Sequence, residues 1–131
     1  MHAGAGIVQA DLQCAFGKPI GDFQMVQAML ADMYVWVESM RLFTYQALRA
    51  ANELEVGGGG RGEIHKITAA SVMFAADNLN KVLDRAVQIH GGAGYIWETE
   101  LNRLFRGTKL LEIGAGTTEV RKLIIAKELL A

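Results

Sequence analysis

Two glycine-dense turns in the last third of the chain carry the residue types best suited to holding a ligand. The first occupies residues 88–95 (QIHGGAGY) and the second residues 112–121 (EIGAGTTEVR). Glycine permits positive φ angles and lets the backbone approach a bound molecule closely. The second turn opens a helix, whose free N–H groups and positive dipole end attract anions. Two such turns in one small helical chain predict a cofactor site.

Both turns also allow an ordinary structural role. Thr117 is well placed to be the N-cap of the last helix, and Glu119 is favoured there by the helix dipole. Gln88 would by itself be an exposed glutamine just before a glycine helix end. Capping and ligand binding are compatible at Thr117 and Glu119, so both roles remain open there.

Other chemistry is poorly supported by the sequence. The three histidines, His2, His65 and His90, show no ligand spacing, so we expect no metal site. The single cysteine, Cys14, excludes an internal disulfide and a multi-cysteine zinc site. No histidine lies near it in sequence, which favours an inert thiol.

Composition predicts one ordinary globular domain. The chain has 131 residues, is 51% hydrophobic and 21% charged, and carries a net charge of −1. That charge argues against nucleic-acid binding, which requires clustered lysine and arginine. No apolar run reaches the roughly 18 residues of a membrane span, and the first residues lack the pattern of a signal or transit peptide. Nothing in the sequence indicates a compartment.

Helical periodicity predicts an all-α, antiparallel helical bundle of the four-helix type. Residues 1–21 are expected to be a frayed helix end followed by a loop, and Asp22 to cap a long helix that reaches about Leu54. Apolar residues of this helix recur at alternating fours and threes, the spacing of a bundle seam. They are Val26, Leu30, Met33, Val37 and Met40. Met29, Trp36 and Phe43 add apolar surface beside the seam, so we expect this helix to be covered on more than one side.

The rest of the chain reads as three further helices. Four glycines at residues 57–60 predict an exposed hairpin between antiparallel helices, because no strand precedes them and no Gly-Lys-Ser/Thr follows. A second long helix is expected over 63–89, ended by the glycines after it. Its buried side is marked by Ile67, Phe74, Val82 and Ile89, and its exposed side by Asp77, Asn80, Lys81 and Asp84. A short helix is expected over 98–105.

The last helix is expected over 117–130. Its apolar face is formed by Val120, Leu123, Ile124 and Leu130. No alternation typical of strands appears anywhere.

The order of these motifs resembles the C-terminal domain of flavin-dependent acyl-CoA dehydrogenases. The matching segments are QIHGGAGY, the basic stretch at 103–109 and EIGAGTTEVRKLIIAKEL, preceded by FGKPIGDFQ at 16–24 and LADM at 30–33. The Gly-Ala-Gly-Thr variant is most similar to the isovaleryl-CoA branch of the family. The resemblance implies that residues 22–131 are the C-terminal helical-bundle domain and 1–21 a truncated helix and loop leading in. It also implies that the family's N-terminal helical and central β domains are absent from this chain.

The resemblance implies FAD as cofactor and an acyl-CoA as substrate of the complete enzyme. Six positions match family residues that contact FAD: Phe16, Gln24, Gln88, Gly92, Thr117 and Glu119. The first four correspond to contacts with FAD held mainly by another subunit, the threonine lies near the pyrophosphate, and the glutamate lies near the adenosine. Judged by residue type alone, Phe16 would be a core residue and Gln24 a surface residue.

The family's reaction removes a proton α to a thioester carbonyl and moves a hydride from the β carbon to flavin N5. The proton step requires a carboxylate base. Many members place a glutamate where this chain has Ala115, and the isovaleryl branch uses one on an earlier helix, at a position that aligns before Met1. We therefore expect no catalytic residue in this chain, since Glu112 and Glu119 are poor substitutes. Ala115 keeps the backbone N–H that the family aims at the thioester carbonyl, and Gly114 leaves room for a branched acyl chain.

Two departures from the family leave two hypotheses open. Gln13 stands where the family has an arginine on the FAD phosphates, and the spacing from Gly6 to Phe16 is roughly two helical turns shorter. The first hypothesis is the FAD-contacting, oligomerising domain of a dehydrogenase for a short or branched acyl-CoA, such as isovaleryl-CoA in leucine catabolism, without turnover as this chain alone. The alternative is a non-catalytic, self-associating helical module. The family implies dimers or tetramers, in the mitochondrial matrix if eukaryotic or the cytoplasm if bacterial.

Overall fold

Five α-helices form most of the part of the chain that the structure describes. A computed structural model describes residues 10, 12–53 and 61–131. A hairpin of β1 (Cys14–Ala15) and β2 (Lys18–Pro19) leads through a 3₁₀ turn (Ile20–Asp22) into the helices. These are α1 (Gln24–Glu53), α2 (Glu63–His90), α3 (Gly92–Tyr95), α4 (Glu100–Ile113) and α5 (Thr118–Leu130). The prediction of an all-α bundle is confirmed.

The core lies between the first half of α1 and the second half of α2. Its buried cluster consists of Ala10, Met33, Val82, Ala86 and Ile89. All five residues of the predicted α1 seam belong to this region, because Met33 is in the cluster and the other four pack against it. Further along, Phe43 of α1 meets Phe74 of α2 edge to face, with ring centroids 5.8 Å apart. This pairing runs in opposite directions along the two helices, so α1 and α2 are antiparallel.

Helices α4 and α5 both pack on α2, which is therefore the central element. Leu101 of α4 packs on the core cluster, whereas Thr108 hydrogen-bonds Asn80, so α4 runs antiparallel to α2. The end of α5 is fixed to the start of α2 by His65 Nδ1 and Glu128 Oε1, which are 2.9 Å apart. The backbone N–H of Gly62 donates to the other oxygen of the same carboxylate at 3.0 Å.

The entry to the bundle differs from the prediction. Residues 14–19 form a hairpin, although the sequence shows no strand alternation, because each strand has only two residues. Asp22 is not the N-cap of α1. The helix begins at Gln24, and the carbonyl of Phe23 accepts the N–H groups of Val26 and Gln27. The predicted end at Leu54 and the glycine run at 57–60 lie outside the described residues.

The later helices are longer or less covered than predicted. Helix α4 extends to Ile113 instead of residue 105, because Gly107 is accommodated inside it; Thr99 caps its start, accepting the N–H of Asn102 at 3.3 Å. The short helix α3 was not predicted. Asn80 is half-buried rather than exposed. Three residues of the predicted α5 face are exposed, namely Val120, Leu123 and Leu130.

The predicted cap of α5 is confirmed: Thr117 Oγ1 accepts the N–H of Val120 at 3.4 Å. Within the described ranges, no helix combines the length and apolarity needed to cross a bilayer.

Candidate functional site

The turn between α4 and α5 holds a backbone conformation that side chains rarely adopt. Ala115 has a φ of 50° and Gly116 a φ of 96°. Outside glycine, positive φ is uncommon and disfavoured by about 1–2 kcal/mol. Ala115 is exposed, and its N–H has no hydrogen-bond partner in the part of the chain that the structure describes. The turn thus presents a free N–H donor directly before the capped start of α5.

Gly114 ends α4 and is required there by a close backbone contact. Its N–H donates to the carbonyl of Leu110 at 2.6 Å. A Cβ atom at this position would lie 2.8 Å from that carbonyl oxygen and 3.5 Å from Leu110 Cδ1. The backbone would have to shift to accept any side chain. The glycine therefore has a structural reason of its own, in addition to the space that it leaves for a ligand.

Arg121 was not predicted as a site residue, yet its buried side chain bonds the backbone of the turn. Its side chain reaches back across the turn, where Nη1 donates to the carbonyl of Leu111 at 2.8 Å and Nη2 to that of Gly114 at 2.9 Å. The residue is only 6% exposed. Because helical side chains point toward the helix N-terminus, an arginine one turn after the Thr117 cap could have been predicted to reach the turn.

Glu119 lies in the first turn of α5, exposed to solvent. Hydrogen bonds from its own backbone N–H and from the Thr117 hydroxyl lower the pKa of its carboxyl below the usual value. It is therefore an ionised acceptor at neutral pH. A cavity of about 380 Å³ is lined by Glu119 and Thr118 together with Phe74 and Asp77, which places the start of α5 beside the middle of α2.

Glu112 is held inside a polar cluster between α2 and α4. Its two carboxylate oxygens accept hydrogen bonds from Asn80 Nδ2 and from Lys109 Nζ. The hydrogen bond and charge of Glu112 raise the pKa of the Lys109 ammonium. Thr108, which is 5% exposed, donates to Asn80 Oδ1 at 2.5 Å and completes the cluster. This cluster was not predicted, because helical periodicity places Asn80 on the expected exposed side of α2.

The first glycine turn forms the end of α2 as predicted. Gly91 has a φ of 57°, and its N–H donates to the carbonyl of Gln88 at 3.2 Å. Gln88 and Gly92 are both exposed. Gly94 is buried because α3 folds back on α2, and a Cβ there would lie 2.7 Å from the carbonyl oxygen of Val87. Gly92 and Gly94, two positions apart, thus have different roles, since no atom of the described residues lies within 4 Å of a Cβ at Gly92.

Phe16 is at the tip of the hairpin and is 97% exposed. The expectation from residue type alone, that Phe16 lies in the core, is therefore wrong. Its φ is 51° and that of Gly17 is 81°. Its ring meets that of Phe23 edge to face at 6.3 Å, and Lys18 Nζ lies 4.2 Å from the centroid of Phe23. Gln24 is exposed at the start of α1.

The predicted site residues fall into two groups along α2. The first group lies at the end where α1 begins and α2 ends, and it comprises Phe16, Gln24, Gln88 and Gly92. The second group lies beside the first half of α2, up to the level of Asp77, and it comprises Gly114, Ala115, Thr117 and Glu119. Asp77 and Gln88 mark the two levels and are eleven residues apart, roughly 17 Å along a helix axis. The fold of one chain does not bring the two groups together.

Comparison with known proteins identifies the family. The family model for the acyl-CoA dehydrogenase C-terminal domain matches residues 10–130. The chain therefore belongs to the acyl-CoA dehydrogenase family and corresponds to its C-terminal domain, as the resemblance predicted. Members of this family are flavin-dependent oxidoreductases.

Individual relatives agree with this assignment. The mitochondrial isovaleryl-CoA dehydrogenase of Oryza sativa subsp. japonica is 41% identical over 133 residues, which cover 95% of this chain and 31% of that protein. The structure of butyryl-CoA dehydrogenase from Megasphaera elsdenii superposes with a TM-score of 0.87 at 30% identity, covering 99% of this chain and 32% of that one. An FAD complex of PigA gives a TM-score of 0.86 at 26% identity, covering 98% and 32%. The chain spans about a third of the length of the curated relatives it matches.

Proposed function

We propose that this chain is the FAD-contacting, oligomerising C-terminal domain of a flavin-dependent acyl-CoA dehydrogenase. Its substrate class is a short or branched acyl-CoA, such as isovaleryl-CoA. The observation that carries the proposal is the turn at 114–117, where a free N–H at Ala115 immediately precedes the N-terminus of α5. In a chain of this family, such a turn combines a donor for a thioester oxygen with a helix end that favours anions.

The second group of site residues fits the polar parts of FAD. Thr117 has a hydroxyl at the positive end of α5, where a pyrophosphate would be favoured. Glu119 stays ionised because of its lowered pKa, and it would accept hydrogen bonds from adenosine hydroxyls. FAD, when bound, supplies the acceptor for the substrate hydride. The relative solved as an FAD complex supports the same cofactor for this chain.

The Gly114–Ala115 backbone is the part that would contact the substrate. The N–H of Ala115 would donate to the thioester oxygen and stabilise the negative charge that develops there when the α proton leaves. Two relatives carry the names isovaleryl-CoA and butyryl-CoA dehydrogenase, which supports a short acyl chain. Both oxygens of Glu112 are already bonded to Asn80 and Lys109, so that carboxylate is a poor proton acceptor. Turnover would therefore require a base from outside this chain.

The first group of site residues would contact a second FAD, held by a neighbouring subunit. The separation of roughly 17 Å along α2 suits a domain that touches two cofactors at two levels. Phe16 supports this role, because its ring is 97% exposed in a disfavoured backbone conformation and, among the described residues, its ring contact is the edge-to-face one with Phe23. In a eukaryotic cell the proposed location is the mitochondrial matrix, a proposal supported by the word mitochondrial in the name of the rice relative, and in a bacterium it is the cytoplasm.

The experiment is an FAD titration of wild type and of two matched cap variants. Thr117→Val and Thr99→Val each remove the N-cap of one helix, so each is expected to lower the free energy of unfolding by about 1 kcal/mol. Only Thr117→Val is expected to weaken FAD binding, measured by flavin fluorescence and calorimetry. Equal FAD affinity in the two variants would contradict the proposed role of the turn, as would wild type that binds no FAD.

A second candidate function is a non-catalytic, self-associating module. It is favoured by exposed apolar side chains along α1, among them Val35, Leu42, Tyr45 and Leu48. Such a surface favours association. Size-exclusion chromatography with light scattering separates the candidates: an oligomer indifferent to FAD, and dissociated by Leu42→Glu, favours the module. Association promoted by FAD favours the dehydrogenase domain. Dehydrogenation of isovaleryl-CoA by this chain with FAD and an electron acceptor would contradict the proposal that the chain lacks the catalytic base.

A further inference from the structure

We propose that Arg121 is a positioning residue that polarises the Gly114–Ala115 peptide group and makes the Ala115 N–H a stronger hydrogen-bond donor. The inference rests on the proposed function, in which that N–H contacts the thioester oxygen. It adds a residue that neither the sequence motifs nor the comparisons assign. It also gives a chemical reason why the guanidinium bonds the turn at Gly114.

The two contacts belong to one planar amide. Arg121 Nη2 donates to the carbonyl oxygen of Gly114 at 2.9 Å, and the N–H on the other side of that peptide bond is that of Ala115. A donor on the carbonyl draws electron density from the nitrogen, so hydrogen bonds through one amide strengthen one another. The donor is a cation, and charge-assisted bonds of this kind are roughly twice as strong as neutral ones. The result is a chain from guanidinium through peptide to substrate oxygen.

The charge itself acts in the same direction. Arg121 is 6% exposed, and within the described ranges no carboxylate forms an ion pair with it. A buried cation without a counter-ion is unfavourable unless something else requires it. Its positive potential would stabilise an oxygen that becomes negative close by. A cavity of about 240 Å³ is lined by both Arg121 and Ala115, so the two residues face a common space.

The competing explanation is purely structural. The carbonyls at the end of α4 need partners, and Arg121 satisfies that of Leu111 at 2.8 Å. This explanation predicts lower stability on substitution and no particular effect on the Ala115 amide. A test must therefore measure that amide directly, besides the free energy of unfolding.

The test measures base-catalysed hydrogen exchange of the Ala115 amide by NMR in the 131-residue chain. An exposed, polarised N–H is more acidic and exchanges faster with hydroxide. We expect Arg121→Met to slow exchange at Ala115 by about tenfold, the effect of one pKa unit, and Arg121→Lys, which keeps the charge, to slow it less. Arg103→Met removes an exposed guanidinium of α4 and should leave the rate unchanged. Local loosening of the turn would not slow an amide that is already exposed.

The outcomes separate this inference from the function on which it rests. Unchanged or faster exchange at Ala115 in Arg121→Met, or in Arg121→Lys if the first variant is unfolded, overturns the inference. A second titration adds FAD and isovaleryl-CoA to wild type and follows the Ala115 amide shift. Slower exchange in the variant without any response of Ala115 to the thioester would keep the polarisation and refute the proposed substrate contact. Slower exchange together with a downfield shift supports both.

Discussion

Replacing Phe16 by asparagine should stabilise the chain and weaken its binding of FAD. Phe16 and Gly17 both have positive φ, at 51° and 81°, in the two-residue turn of the hairpin. Turns of this kind favour Asn-Gly. A left-handed conformation disfavours an ordinary residue by about 1–2 kcal/mol, and asparagine tolerates it far better. Relief of about 1 kcal/mol is therefore expected from Phe16→Asn.

Contacts of the ring reduce that gain only slightly. Phe16 is 97% exposed, so little apolar burial is lost with it. Its edge-to-face contact with Phe23 at 6.3 Å is worth at most about 0.5 kcal/mol in so exposed a place. The net expectation is a free energy of unfolding higher by about 0.5–1 kcal/mol, or a Tm higher by about 2–4 °C.

The assay is urea unfolding followed by tryptophan fluorescence, combined with an FAD titration. Gly17→Ala is the matched control in the same turn. The Cβ of alanine meets no atom of the described residues within 4 Å there, but alanine must adopt a φ of 81°, so this variant should lose about 1 kcal/mol. If Phe16→Asn instead destabilises the chain by 1 kcal/mol or more, the ring supports the fold and the strain argument is wrong. If it gains stability and keeps its full FAD affinity, the proposed contact is wrong.

Three further predictions concern stability. Gly94→Ala should lose about 1–3 kcal/mol by overpacking, whereas Gly107→Ala, inside a helix with open space around it, should gain up to about 1 kcal/mol; equal effects in urea unfolding would contradict the contact at α3. Thr108→Val should lose about 1 kcal/mol by removing a buried hydrogen bond of the α2–α4 cluster, and an unchanged urea midpoint would contradict it. The pKa of Glu128 is lowered, first by its hydrogen bond with His65. Its stabilisation is present above the ordinary value and lost as pH falls through the folded pKa. The stability difference between wild type and Glu128→Gln should thus shrink below pH 4.5, and a difference constant with pH would count against the pair.

The long helices were predictable because their apolar periodicity extends over many turns. The α1 seam packs on the core as its spacing indicated, and α2 ends within one residue of its predicted limit, at His90. Periodicity is weaker evidence where one glycine interrupts it. Gly107 follows closely after residue 105, where α4 was predicted to end. A single glycine disfavours a helix by only about 1 kcal/mol, which tertiary packing outweighs.

The hairpin and the polar contacts were not predictable by these rules. A phenylalanine at positive φ contradicts the usual turn preferences, so Phe16 itself gives no local signal for the turn. The contacts of Asn80 and Arg121 depend on where α4 lies relative to α2 and α5. Residue type alone makes both look like surface residues, because asparagine and arginine are mostly exposed in proteins.

The separation of the candidate site residues into two groups follows from the length of α2, a helix that the sequence predicted. Because α2 is one continuous helix that contacts α1, α4 and α5, residues beside its end and residues at the level of Asp77 are kept roughly 17 Å apart along its axis. In the proposed function the two levels contact two cofactors, one of them held by another chain. The apolar residues left exposed on α1 and α5 lie outside the core between α1 and α2. Surfaces of this kind gain stability by association, so subunit contact and cofactor contact would be expected to depend on each other. The Leu42→Glu variant tests this dependence. If the variant dissociates an oligomer of this chain, it should also weaken FAD binding, although Leu42 lies in neither group of site residues.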